Sequence, residues 1–548
     1  MKAKLLFLVV AVLSTFLGGA EMDVNFNKAF YEPGELLILQ VKGMDRPMDY
    51  TVSVSRNLVQ CVSLSGSVSH ENPVIEISLP YEKGGYGLDV TFDNNLTISR
   101  GFSILDNWLE SPRYGFLTEF YSDRIDIEVN MDYLAQYHIN GLQYYDWMYD
   151  YGKLVYEEGT VYKDAWQRVR EISTDVIRDL IDAGHRRNIF SMAYVALYAV
   201  TRELGEMNPD WLLYEKKGDE WNAVSFYERI LLADNRASSG WTAFLLEECA
   251  KTIDLGFDGI HLDQYGYPKD NESFTLEGEH YKPYKTSLAF MEFFDSLRGK
   301  VDSKAVFFNY VNNWPKEIQD RANLDVVYIE PWESCNTYAD LHAMIVDARK
   351  RSGGKHVILA AYIKGAAENS ILLADSLIAI SGGRRLEVGE FMRILSGPYF
   401  PGADVATESL LNTLRDYYDF QARYEDFIEG DFIDGEELTV GTTCSSTPQA
   451  NSVWLTAKKS DAGIMINLVN LTDIRSDLWR RRQRRPKFLE NLSLNIPRAW
   501  VSGGAAIYFC SPDGFLRQIR LEAHPEGDHV LVKLPQLRFW TSVLIVEQ

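Results

Sequence analysis

Near the middle of the chain two apolar runs each end on a carboxylate. Residues 256–266 read GFDGIHLDQYG and residues 324–333 read LDVVYIEPWE. Each run is apolar and β-branched up to Asp263 or Glu330, the pattern of a strand buried on both faces of a parallel sheet. A carboxylate at the C-terminal end of such a strand has no packing role. In a (β/α)8 barrel that end carries the active site. Two carboxylates on two different strand ends are the minimum equipment for glycoside hydrolysis.

Strand alternation places both groups. In GFDGIHLD it turns Gly259, His261 and Asp263 toward the barrel axis and Ile260 and Leu262 toward the helices. In DVVYIE it turns Val326, Tyr328 and Glu330 inward. A third carboxylate, Asp146, ends INGLQYYD. Its parity puts Tyr144 inward and leaves Gln143, Tyr145 and Trp147 on the other side, unless a bulge or the strand exit returns them to the mouth. Tyr194, Asn309 and Trp332 also fall at or near strand ends and join these as candidate sugar contacts. His261, one layer below the rim, reads as a hydrogen-bonded barrel histidine.

These side chains need a scaffold, and the chain spells one. Eight candidate strands follow residue 106, at 115–120, 139–146, 189–195, 257–263, 305–311, 325–330, 356–362 and 376–381. Helical stretches, including 164–184, 241–254 and 406–427, lie between or after them. Repeated strand–helix alternation is the pattern of a (β/α)8 TIM barrel. Before it, residues 21–105 carry short alternating segments separated by turn residues, such as LLILQV (37–42) and YTVSVS (50–55), which read as a small β-sandwich. After it, residues 430–548 return to strands and form a C-terminal all-β domain. The expected organisation is a signal peptide (1–20), a β-sandwich (21–105), a catalytic barrel (106–429) and a C-terminal β-sandwich (430–548).

Several longer stretches resemble glycoside hydrolase family 66, the dextranases and cycloisomaltooligosaccharide glucanotransferases. They are RYGFLTEFYSD (113–123), HINGLQYYDWMY (138–149), GFDGIHLDQYG, VYIEPW (327–332), VILAAY (357–362) and YFPGADVATESLLNTLRDYYDFQARYEDF (399–427). They run in order across the whole barrel. The resemblance implies that Asp263 is the nucleophile, Glu330 the general acid/base and Asp146 a further active-site aspartate. It implies a retaining mechanism on α-1,6-glucan, an N-terminal immunoglobulin-like domain, and no metal or organic cofactor. It also implies that the transferases carry a sugar-binding module within the barrel region. The loops here, mostly under about 60 residues and reading as free of a second β-module, favour the hydrolase. The expected activity is therefore a secreted endo-dextranase that releases isomalto-oligosaccharides. The alternatives are the glucanotransferase and a non-catalytic glucan-binding protein.

Composition narrows the remaining classes. A net charge of −23 argues against nucleic-acid partners. Met1–Ala20 has a basic start, an apolar stretch and a small-residue end, and reads as a secretory signal peptide. No later run has the length of a membrane span, so a soluble exported monomer is expected. Cys61, Cys249, Cys335, Cys444 and Cys510 are odd in number and widely spaced, and read as buried small hydrophobes. No HExxH, Walker or GxSxG pattern is present. The basic run from Trp479 to Lys487 reads as a solvated loop.

Overall fold

The structure is a computed structural model, and it describes residues 22–332, 334–501 and 503–547. The proposed signal peptide lies outside the described residues. Eight parallel strands form the central sheet: β1 (Tyr114–Leu117), β2 (Gly141–Tyr144), β3 (Phe190–Ala196), β4 (Gly259–Asp263), β5 (Ala305–Val311), β6 (Val327–Glu330), β7 (Val357–Leu359) and β8 (Gly383–Arg385). Each pairs with its sequence neighbour, and a parallel bridge from Phe116 to Gly389 joins the two ends. Gly389 is required at that closure, because a Cβ there would come within 2.5 Å of the Phe116 ring. The chain is thus a nearly closed parallel barrel with β-domains on either side.

Crossovers carry α1 (Ile127–Ala135), α2 (Thr174–His185), α3 (Gly240–Asp254), α4 (Thr286–Val301), α5 (Tyr338–Arg351) and α6 (Glu368–Ser381), and α7 (Glu408–Arg423) follows β8. Between β5 and β6 the described connection holds only a 3-10 turn, Lys316–Ile318. Inside the barrel Tyr114, Phe116, Met192, Phe307, Tyr328 and Ile358 pack together. Trp108 stacks on Phe190 and meets Phe307.

Two expected elements are corrected. Residues 376–381 are the last turns of α6, and the eighth strand is Gly383–Arg385. From Ser370 to Ser381 every residue of α6 is buried, because the helix packs against its neighbours and against the C-terminal strand Gly463–Asn470. A helix covered all round loses its 3.6-residue periodicity and reads like a buried strand. Gly382, at φ +89°, ends it. Likewise the helix expected from 164 begins only at Thr174, where the Ser173 side chain accepts from the Val176 N–H. The preceding residues form a hairpin of Val161–Lys163 and Glu171–Ser173. The loops expected to lack a second β-module do hold small sheets. Four strands from the excursions after β3 and β4, Leu213–Lys217, Glu220–Ala223, Phe274–Glu277 and His280–Pro283, form one of them.

The N-terminal region packs a three-stranded and a four-stranded antiparallel sheet around Val24, Leu37, Val52, Ile75 and Leu88. The C-terminal region packs two further sheets, antiparallel apart from the short parallel pairing of Cys444–Ser445, around Leu455, Ile466, Leu494 and Val532. α7 and the turn that follows it tie all three parts together. Arg415 donates to Asp23, Arg423 to Asp89, and Tyr417 to Asp513 at 3.0 Å. Cys249, Cys335 and Cys510 are buried, as expected of small hydrophobes, whereas Cys61 is exposed and Cys444 half-buried. None of the described helices is long and apolar enough to cross a membrane.

Candidate active site

The C-terminal ends of β2 to β6 converge on one cleft of about 390 Å3. Asp263, Glu330, Asp146, Tyr145, Tyr194 and Trp332 all line it.

The two strand-end carboxylates are linked through the strand between them. Asn309, on β5, donates from Nδ2 to Asp263 Oδ1 at 2.8 Å and to Glu330 Oε2 at 3.0 Å. Only the amide nitrogen can face two carboxylates. Asp263 takes two more donors, the Tyr194 hydroxyl at 2.8 Å and the Gln264 N–H at 2.8 Å. Glu330, 9% exposed, takes the Tyr362 hydroxyl at 2.5 Å. The Gln264 amide in turn reaches the Asn309 carbonyl at 3.2 Å and fixes the β4 exit against β5.

Burial shapes the acidity of this group. Glu330 is pushed up to about 7 by burial and by the charge of Asp263. Asp263 is also raised by burial, but the donors from Tyr194, Asn309 and Gln264 work against that rise. Asp146 is pushed up to about 7, again by burial, with Arg170 opposing. His261 is held down to about 3 by burial, so it is neutral. Its Nδ1 lies 3.0 Å from the Tyr114 hydroxyl, the barrel-histidine role expected of it.

Alternation is correct for β4 and β6. Ile260, Leu262, Val327 and Ile329 pack with the helices, and Val326 and Tyr328 with the interior. It is wrong for β2. Tyr144 packs outward between Phe120 and Phe257. Gln143, in register with Phe116 and Met192, shares their inward face below the mouth. The strand ends at Tyr144, and Asp146 sits at φ +52°, so counting by twos through it fails. That turn delivers Asp146 to the cleft, with Oδ2 3.5 Å from Arg170. Trp147 is not at the mouth. It is fully buried against Phe257, and its indole donates to the Tyr194 carbonyl at 3.1 Å. Tyr145 does reach the cleft, its ring 4.3 Å from Phe400 and 5.0 Å from Tyr194.

Sequence reasoning missed Tyr362, although its parity along β7 and its exit matches that of Ile358 and Ala360, and the strand-end rule would have found it. It also missed Trp166, Tyr227, Tyr265 and Tyr399, which line the outer cleft. These sit on loops and hairpins, where no periodicity marks them.

A buried carboxylate pair, joined by one amide at the C-terminal mouth of a parallel barrel, has the layout of a glycosidase. Comparison with known sequences agrees: the profile of Glycosyl hydrolase family 66 matches residues 26–544, and the chain belongs to that family. A cycloisomaltooligosaccharide glucanotransferase of Niallia circulans is 23% identical over 95% of this chain and 72% of its own length. A dextranase of Streptococcus salivarius is 22% identical over 82% of this chain and 65% of its own. Among solved structures, a Paenibacillus sp. cycloisomaltooligosaccharide glucanotransferase complexed with cycloisomaltoheptaose superposes with a TM-score of 0.87 at 20% identity, covering 96% of this chain and 99% of that one. An α-amylase of Geobacillus thermoleovorans follows at 0.53 and 10%, covering 81% of this chain and all of that one. The likenesses to solved structures concern the fold.

Proposed function

We propose that this chain is an exported, monomeric endo-dextranase that cuts α-1,6-glucan by a retaining double displacement. The observation that carries the reading is the Asn309 bridge. Its two hydrogen bonds, 2.8 and 3.0 Å, placed end to end hold Asp263 Oδ1 and Glu330 Oε2 within about 5.8 Å. Retaining enzymes keep their carboxyls about 5–5.5 Å apart, and inverting ones about 6.5–9.5 Å, to admit a water.

Glu330, holding its proton near neutral pH, protonates the glycosidic oxygen as the bond breaks. Asp263, whose ionised form its three donors favour, attacks the anomeric carbon and forms a covalent glycosyl-enzyme as the bond to the leaving oxygen breaks. Glu330, now ionised, takes a proton from water, and the hydroxide releases the sugar with its configuration retained. Asp146 and the aromatic side chains of Tyr145, Tyr194 and Trp332 hold the sugar rings at the cut. The N-terminal sandwich is the immunoglobulin-like domain implied by the resemblance.

The α-1,6-glucan substrate is supported by the dextranase and glucanotransferase relatives. Hydrolysis is favoured over cyclisation because the described barrel loops hold small sheets and helices but no inserted domain. The second reading, a glucanotransferase, is favoured by the Niallia circulans relative, which matches over 95% of this chain. Incubation with dextran separates them. Viscosity should fall quickly while reducing ends rise slowly, linear isomalto-oligosaccharides should accumulate, and the α-anomer should appear first by NMR. Starch, cellulose and xylan should stay intact. A dominant cyclic product would establish the second reading, glucose alone from the outset would exclude endo cleavage, and the β-anomer appearing first would exclude retention.

A further inference from the structure

We propose that Arg480, supplied by the C-terminal domain, is a positioning residue for the acid/base Glu330. The inference rests on the catalytic reading of Glu330 given above.

The basic run from Trp479 to Lys487 is not uniformly solvated. Arg481, Arg482, Arg484, Arg485 and Lys487 point to solvent, whereas Trp479 is fully buried and Arg480 partly so. Residues 477–480 run antiparallel to the loop that leaves β6. Leu478 bridges Thr337, the Tyr338 N–H donates to the Asp477 carbonyl at 2.9 Å, and the Trp479 N–H to the Asn336 carbonyl at 3.2 Å. The Trp479 indole donates to the Cys335 carbonyl at 3.0 Å. A segment of the C-terminal domain has thus been laid along the loop that begins one residue after Glu330.

Arg480 fastens the near end of that loop. Its guanidinium donates to the Cys335 carbonyl at 3.1 Å and, through the other terminal nitrogen, to the Pro331 carbonyl. The guanidinium also lies 3.9 Å from the Trp479 ring, which fixes its own plane. Pro331 is bonded directly to Glu330, so holding its carbonyl orients the Pro331–Trp332 peptide, one residue beyond the acid. Between the two clamped carbonyls stands Trp332, which lines the cleft and packs 5.5 Å from Tyr362. Tyr362 is the donor to Glu330 Oε1. One planar fork therefore sets the peptide one residue beyond the acid and the aromatic wall beside it. The rigid planar fork of arginine holds both carbonyls in one fixed geometry, which a flexible lysine ammonium does not reproduce.

The consequence is that the C-terminal domain completes the acid side of the site. Arg480→Met should lower kcat/KM on isomalto-oligosaccharides by about 10- to 100-fold, the worth of charge-assisted hydrogen bonds. On an α-isomaltosyl fluoride, whose leaving group needs little protonation, the loss should be within about threefold. Arg480→Lys, which keeps the charge but not the planar fork, should fall between, and carries the test if the methionine variant does not fold. Hydrogen exchange at residues 334–338 should quicken in both variants, with the N-terminal sandwich unchanged. Arg481→Ala, on the solvent side of the same run, should match wild type. Equal losses on both substrates, or activity within about twofold of wild type in both Arg480 variants, would overturn the proposal. A wild-type protein inactive on both substrates would instead overturn the catalytic reading on which it rests.

Discussion

The Tyr362 hydroxyl donates to Glu330 Oε1 at 2.5 Å, from the exit of the strand next to the one that carries the carboxylate. This bond favours the ionised form of Glu330 and so opposes the burial that pushes it up to about 7. In Tyr362→Phe the acid should hold its proton to higher pH. The alkaline limb of kcat/KM should then move upward in pH, and the maximum should drop by about 10-fold as the acid loses an anchor. A limb that stays in place would show that Tyr362 does not tune Glu330.

Asp263→Asn and Glu330→Gln should each lower kcat by at least about 10³ with the fold intact, since neither step has a substitute group. For Glu330→Gln a substrate with a good leaving group should partly restore the first step. Near-normal turnover of dextran by either variant would remove that residue from the mechanism.

Asn309→Ala removes one donor from each carboxylate at once. Asp263 loses a bond that lowers its pKa, so the acidic limb of kcat/KM should shift to higher pH. The rate at the optimum should fall by about 10- to 100-fold. The pH profile distinguishes this from simple loss of folded protein, which would scale the curve without moving it.

Glu330 and Asp146 should cost the protein stability as pH rises. Both have folded values of about 7, above their ordinary 4.5 and 3.8, because burial disfavours the charge. The folded state therefore binds these protons more tightly than the unfolded chain. Their contribution is fully present below about pH 4 and is lost as pH climbs through 7. Glu330→Gln and Asp146→Asn cannot ionise. Each should match wild type in unfolding free energy below about pH 4 and exceed it at pH 8, by on the order of 1 kcal/mol or more, with Tm moving the same way. A Tm difference that does not change with pH would contradict the raised values.

The parallel barrel with β regions on either side, seven of its eight strands, and the inward facing of Asp263 and Glu330 were legible in the sequence. They depend on local rules, since an apolar run ending on a carboxylate and strict alternation along a strand are properties of a few consecutive residues. The eighth strand was not legible, because α6 is covered on all sides and its composition no longer distinguishes helix from strand. Trp147 was misplaced, and Tyr144 and Gln143 exchanged faces, because one positive φ at Asp146 interrupts the alternation. Tertiary structure alone decided how the carboxylates communicate. Asn309 lies 46 residues from one and 21 from the other, and Arg480 reaches the loop after Glu330 from 149 residues away. Contacts over such distances leave no periodic trace. They exist only once barrel closure and domain docking have brought distant segments within hydrogen-bond reach.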